Sequence, residues 1–312
     1  MHPSLAATTH LNRQNDLRVD RDHVDSLLSS PDSRFFVLAG NKPVVDSDAD
    51  RTKSSLRWFS RQDLDAMGVP LMETLYLGDD AATGSAQFAV LITEHFARHA
   101  PEAGGRLAPA VDLRSIASQG SMEPVELGLA AQAVGLRNWH EESRCCGRCG
   151  GSMSMKNGGW KRRCWACKNE TFPRVDPVVI MAVTFEGQLL LAHEDRFPDT
   201  MYSTIAGFIE PGDDVFHAVR RETMEEVGIE IGEVEFQGSQ PWPFAHSLMI
   251  GCMARAKSDK IAINPNEVSD ARWFSRDDVT SMVNHTHAEG LWVPGQHSMA
   301  HMLIQHYLAE TA

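Results

Sequence analysis

The sequence predicts an α+β protein with a mixed sheet, and three observations predict it. Short aromatic and β-branched runs, "FFVLAG", "TLYLG" and "FAVLIT", lie among turn residues within the first hundred positions and read as strands. Five of the six cysteines crowd between positions 145 and 167, which points to a local site that divides the chain. Beyond them a continuous apolar run, "DPVVIMAVTF", reads as a buried strand, and further on a glycine-punctuated loop leads into an acidic helix. With 312 residues and 42% hydrophobic content, the chain is long enough for two domains with cores of their own.

The cysteines give the most specific local signal. "CCGRCGG" places Cys146 and Cys149 two residues apart, "CWACKN" does the same for Cys164 and Cys167, and fourteen residues separate the pairs. Two such knuckles aim four thiolates at one ion, so the spacing predicts a tetrahedral zinc site on Cys146, Cys149, Cys164 and Cys167. A disulfide pair or a redox CxxC would use the same residues but suits an oxidising compartment or a catalytic role. Cys145 offers an alternative ligand in place of Cys146. Cys252, in "SLMIGCMARA", reads as a buried strand residue.

The formal charge of −13 and a pI near 5.5 argue against long tracts of phosphate backbone as the main ligand, because that binding rests on Lys and Arg displacing counterions. A small anion held through a metal remains compatible. "KNGGWKRRCWACKNETFPR" is a basic island in this acidic chain, with Lys156, Lys161, Arg162, Arg163, Lys168 and Arg174 against one acid. Such an island either solvates a zinc ribbon or meets RNA. No stretch reaches the roughly 18 apolar residues of a membrane span, and "MHPSLAATTHLNRQNDLRVD" has no signal-peptide core, so a cytoplasmic protein is expected.

Residues 123–142 have the apolar spacing of a helix at Leu127, Ala130, Ala131 and Val134. "RWFSRQD" at 57–63 and "RWFSRDD" at 272–278 agree at six of seven positions, and in both a serine stands three residues before an aspartate, the pattern of a capping box. The echo is either a strand-to-helix junction that arose twice or the trace of a duplicated fold. Nothing between residues 1 and 140 repeats the acidic stretch, so a copy would lack its chemistry.

That stretch is "RRETMEEVG", residues 220–228, on a helix expected from Val215, after Asp213 or Asp214, to Val227 with Gly228 as its cap. Val215, Val219, Thr223 and Val227 form a core-facing stripe. At about 100° per residue, Glu222, Glu225 and Glu226 fall within about 100° of arc beside it. Their mutual repulsion is unfavourable unless Arg220 and Arg221 or a divalent cation offsets it.

At this point the residues resemble a known family. Gly207, Arg221, Glu222, Glu225, Glu226, Gly228 and Ile229 match the Nudix box, G-x5-E-x7-R-E-U-x-E-E-x-G-U, where U is aliphatic. Asp213 replaces the first glutamate and Thr223 an aliphatic residue. "CGRCG", "GWKRRC", "FPRVDPVVI", "AGFIEPGD" and "SQPWPFAHSLM" extend the resemblance to bacterial NADH pyrophosphatases over roughly residues 125–312. The resemblance implies a Nudix α/β/α sandwich at 174–312, a zinc ribbon at 141–173, and a Nudix-like domain without an active site at 1–140.

The resemblance further implies Mg2+ or Mn2+ ligation by the Ala206 carbonyl, Glu222, Glu226 and Glu267, with Glu225 a further ligand or, like Glu226, the catalytic base. It implies a dinucleotide pocket at Gln240, Pro241, Trp242, Pro243, Phe244, Ala245, His246 and Ser247, with Phe172 in place of the usual tyrosine and with Ser298 and Ala300 near the site. Two prolines flanking Trp242 stiffen that segment, and an aromatic ring suits a flat base. The implied activity is metal-dependent hydrolysis of the pyrophosphate of NAD(H) to NMN(H) and AMP by a homodimer, extending to NAD caps on RNA. A hydrolase preferring ADP-ribose is one alternative. A zinc-ribbon module that binds nucleotides or RNA without turnover is another, and it would have no need of all four glutamates.

Overall fold

The run Asp176–Phe185 becomes the strand around which the C-terminal half is built. The computed structural model describes residues 10–48, 50, 52–99 and 109–310; residues 1–9, part of the stretch read above for a leader, lie outside them. Val179, Met181 and Val183 face one core with Ala218, Val219 and Val227 of helix Val215–Val227. Ile180 and Ala182 face the other, with Val279, Met282, Leu303 and Ile304 of helices Arg276–Val283 and Met299–Ala309. Successive side chains of a strand point to opposite faces, so an apolar run with no polar alternation requires cover on both sides.

Strand Asp176–Phe185 runs parallel to Ser247–Ala256, while the other pairings of this six-stranded sheet are antiparallel. The sheet is therefore mixed, with helices on both faces, as expected. Gly251 lets helix Met299–Ala309 approach closely, since a Cβ there would stand 2.6 Å from the Met299 sulfur. Cys252 is fully buried in its strand, and burial pushes its thiol up to about 11.

Described residues 175–242 and 247–310 form one compact unit, and 10–174 with 243–246 form the other. In the second unit the three runs read as strands fall on strands Arg34–Ala39, Thr74–Asp80 and Ala86–Ile92 of a five-stranded sheet, with Gly40 and Thr93 just past the strand ends. Arg34–Ala39 and Ala86–Ile92 are parallel, and Thr74–Asp80 is antiparallel to the latter. The C-terminal sheet has the same arrangement, a parallel pair with a hairpin partner on one side.

The echoed stretch lies at different points of the two chain orders. Both copies are capping boxes, with Ser60 and Asp63 in one and Ser275 and Asp278 in the other exchanging backbone and side-chain bonds. The first, however, precedes the hairpin Thr74–Ile92, and the second follows the hairpin Ile231–Ala256. It is a strand-to-helix junction used twice, not a matched position in two sheets.

Helix Pro124–Glu142 starts with proline in its first turn and buries Leu127, Ala130, Ala131 and Val134. After it comes a three-stranded sheet, Met153–Lys156, Lys161–Cys164 and Glu170–Thr171, which belongs to the same compact unit as the N-terminal sheet. Polar anchors explain the association. Trp160 donates its indole N–H to the Tyr76 carbonyl at 2.8 Å, and Arg162 donates to His140 Nδ1 at 2.8 Å. His140 is buried and held down to about 4 by desolvation and by the Arg162 charge, so it is neutral and can accept that bond.

Candidate active site

Helix Val215–Val227 has the expected bounds. Asp214 caps it by accepting from the His217 amide at 2.7 Å, and Gly228 ends it at φ 68°. Thr223 is fully buried, and its hydroxyl donates to the Val219 carbonyl at 2.8 Å, so the departure from an aliphatic residue leaves no orphaned polar atom.

The three glutamates do not share one environment. Glu226 is 8% exposed and the Glu222 side chain 12%, whereas the Glu225 side chain is 50% exposed. Glu222 and Glu226 turn inward, and Glu225 stands at the rim. Arg221 donates to Glu222 and Glu225 at 2.9 Å each, to Asp213 at 2.8 and 3.1 Å, and to the Phe208 carbonyl at 2.8 Å. This guanidinium, and not Arg220, balances the acidic helix, because Arg220 donates to the carbonyls of Phe216 and Gly232. Asp213 makes its contact in spite of its short arm, and the Arg221 bond holds its carboxyl down to about 2.

Glu226 receives no such bond. Burial first, then the charges of Glu222, Glu194 and Glu267, push it up to about 8. Burial also raises Glu222, against the opposing pull of Arg221. The loop carrying Glu267 is tied to the end of the helix, since the Asn264 amide donates to the Glu226 carbonyl and the Ala262 amide to the Val227 carbonyl, both at 2.8 Å. Ala206 pairs with Ile180 at the sheet edge. Next to it, Gly207 faces the Glu222 carboxylate so closely that any Cβ would overlap it. The box glycine is thus explained by Glu222 and not by a special φ.

The sulfur atoms of Cys146, Cys149, Cys164 and Cys167 all lie within 4.8 Å of one another, the one such group of three or more His, Cys, Asp or Glu among the described residues. The glutamates are spread more widely. Cys146 and Cys167 sulfurs are 3.7 Å apart, and those of Cys149 and Cys164 are 3.5 Å apart. A disulfide needs about 2.05 Å, whereas the edge of a tetrahedron with Zn–S bonds of about 2.3 Å is about 3.8 Å. The cluster has the geometry of a zinc site. Cys145 is not part of the cluster. Backbone N–H groups of Cys167 and Ala166 help hold the Cys164 thiol down to about 6, which favours the thiolate. Cys146→Ser or Cys164→Ser is expected to lower stability and solubility before any catalytic step changes, because a structural zinc site contributes folding free energy. Metal analysis should give close to one zinc per chain, and active protein without zinc would refute this.

Segment 240–247 is divided between the two units. Gln240, Pro241 and Trp242 end strand Ile231–Trp242, and Ser247 begins Ser247–Ala256. Gln240 is fully buried and donates to the His297 carbonyl at 2.8 Å. In the other unit, Pro243, Phe244 and Ala245 line a cleft of about 510 Å3 with Arg114, Asn138 and Glu142. Arg114 lies 4.9 Å over the Phe244 ring, and Asn138 donates to the Pro243 carbonyl at 3.2 Å. His246 is buried and bonds Glu142 at 3.1 Å, so it braces the turn. Phe172 is 62% exposed, Ala300 is buried, and Ser298 caps helix Met299–Ala309. Arg114, Asn138, Glu142 and Glu194 are absent from the sequence reading. No local pattern marks them, because their partners lie far along the chain.

A Nudix domain with its box helix is what this sheet and acidic site define. Residues 173–293 match the NUDIX domain family, 32–139 the NADH pyrophosphatase-like rudimentary NUDIX domain, and 142–172 the NADH pyrophosphatase zinc ribbon domain. The chain is 36% identical over 200 residues to the NAD-capped RNA hydrolase NudC of Pseudomonas putida, covering 63% of this chain and 67% of that protein. It is 41% identical over 193 residues to the human NAD-capped RNA hydrolase NUDT12, covering 59% of this chain but only 42% of that longer protein. With the chloroplastic Nudix hydrolase 19 of Arabidopsis thaliana it shares 38% over 275 residues, 80% of this chain and 62% of the relative. The chain belongs to the NudC-type NADH pyrophosphatases of the Nudix family.

Proposed function

We propose that the protein hydrolyses the pyrophosphate bond of NAD(H), giving NMN(H) and AMP, and removes NAD caps from RNA. The observation that carries this reading is Glu226, a buried carboxylate pushed up to about 8 beside Glu222, Glu194 and Glu267. Such a patch gains from added positive charge. Its oxygen donors suit a hard divalent cation, with Glu222, Glu226, Glu267 and the Ala206 carbonyl as holders of Mg2+ or Mn2+ and Glu225 near them. When bound, such an ion neutralises adjacent phosphate charge and acidifies water. The chain's own part is to position these groups and to take the water's proton on Glu225 or Glu226. Cys146, Cys149, Cys164 and Cys167 hold structural Zn2+. The relatives' names and the NADH pyrophosphatase families support NAD(H) and NAD-capped RNA as substrates.

Chromatography of products from NADH, NAD+, ADP-ribose and NAD-capped RNA with Mg2+ or Mn2+ tests the proposal. No turnover of NADH or of capped RNA would overturn it. Phe172 is an exposed ring of the kind that stacks a base, and Trp242 is half-buried at the end of its strand. Trp242→Ala is expected to lower kcat/KM for NADH several-fold more than for ADP-ribose, since the two substrates differ in the nicotinamide moiety; an unchanged ratio would remove Trp242 from the pocket. The protein is further proposed to be a cytoplasmic homodimer. Among the described residues no helix is long and apolar enough to cross a membrane. Light scattering should give twice 34.5 kDa, and a mass near 34.5 kDa would reject the dimer.

A further inference from the structure

The ribbon carries a second concave surface, and its composition differs from that of the acidic site. Ser154, Lys156, Arg163, Cys164, Trp165 and Lys168 line a shallow cleft of about 170 Å3. Trp165 is 66% exposed, an unusual position for the largest apolar side chain. Lys156 Nζ lies 5.9 Å from its ring centroid, and Lys168, in a left-handed turn at φ 64°, donates to the Trp165 carbonyl at 2.7 Å. One exposed cation thus lies against the ring, and a second is held at the backbone of the same residue.

Strand register explains which part of the basic island faces outward. Ser154 pairs with Arg163 and Lys156 with Lys161, so these four share one face of the sheet. Arg162 falls on the opposite face, buried against His140 and the Met153 carbonyl, and takes no part. Arg174 lies 3.5 Å from Glu142 and is also set apart. Among the described residues Glu170 is the one acid in an ion pair on the outward face, 3.1 Å from Lys161 and 3.9 Å from Arg163. Four cations against one carboxylate leave a local surplus of three on a chain of net charge −13.

We propose that this face binds single-stranded RNA, with one base stacked on Trp165 and the flanking phosphates neutralised by Lys156, Arg163 and Lys168. Exposed aromatic faces interleaved with cations are the physical requirement for sequence-tolerant binding of single strands, because every base has a π-face and every nucleotide a charge. An acidic peptide would use the cations but leave the exposed ring unexplained. The inference deepens the cap-removal reading and rests on it for biological meaning. It gives the protein a grip on the body of a capped RNA that free NADH does not use.

The test uses the whole zinc-loaded protein and a fluorescein-labelled, uncapped oligouridylate of eight nucleotides, followed by anisotropy at several salt concentrations. Trp165→Ala should weaken binding roughly tenfold, the loss of one stacked base, and Trp165→Phe should restore most of it. Lys156→Ala and Lys168→Ala should each flatten the slope of log affinity against log salt by about 0.7. Zinc content and NADH turnover should stay unchanged in all four variants, while kcat/KM for NAD-capped RNA falls with Trp165→Ala. Oligonucleotide binding that ignores Trp165→Ala and both lysine variants overturns the site, as does equal competition by duplex RNA or by polyglutamate. If NADH is not hydrolysed at all but Trp165-dependent binding persists, the catalytic reading fails and the ribbon site stands.

Discussion

Glu226→Gln is expected to lower kcat by roughly 10^3-fold or more on every substrate, with the fold intact. The change preserves size and helix propensity but removes the one carboxylate of the helix that is both buried and unbonded to Arg221. The ratio of kcat/KM for NADH over ADP-ribose should stay nearly constant while both values collapse. The same variant should be more stable than the parent in chelator-treated samples. Glu226 has its carboxyl raised from 4.5 to about 8 in the folded chain, so the folded state holds a proton that the unfolded state releases. The stability this contributes is fully present below about pH 4.5 and is lost as pH rises to about 8. At pH 8 the glutamine, which carries no charge to desolvate, should raise Tm by at least about 2 °C, the shift from roughly 1 kcal/mol in a unit of this size. At pH 4.5 the difference should vanish. Near-normal turnover by Glu226→Gln would refute the acidic patch as the reaction centre, whatever the thermal result.

Gly207→Ala is expected to cut kcat by about 10^2-fold without unfolding the protein. Its methyl group would overlap the Glu222 carboxylate and force that side chain out of the patch. A displacement near 1 Å at a positioned group can remove about that much rate. Gly207 has an ordinary backbone conformation in its strand, so no strain accompanies the alanine and the lesion is confined to Glu222. A doubly substituted Gly207→Ala, Glu222→Gln chain should be no worse than Glu222→Gln alone, because both changes remove the same interaction. Additive losses would show that Gly207 acts through something else.

The acidic helix was legible because its signals are local. Asp214 and Gly228 punctuate it, the valine stripe sets its buried face, and the angular step of a helix places the three glutamates beside that stripe without reference to the rest of the chain. The cysteine site was legible for the same reason, since each CxxC turn fixes its own two sulfurs and the ribbon strands join them. The two-faced burial of Asp176–Phe185 followed from an apolar run with no polar alternation.

Three-dimensional packing decided what depends on partners distant in sequence. Glu222, Glu225 and Glu226 look alike in the chain, yet only the fold brings Gly207, Glu194 and the Glu267 loop to two of them and leaves the third at the rim. Likewise six basic residues of the ribbon read as one island until strand register turned Arg162 inward to His140 and left Lys156 and Arg163 outward beside Trp165. By itself the sequence determined the helix, the cysteine cluster and the family. Desolvation and charge coupling are properties of surroundings, so which carboxylate is basic, which arginine is buried and which aromatic ring is open to solvent were settled only when the sheet and its loops came together.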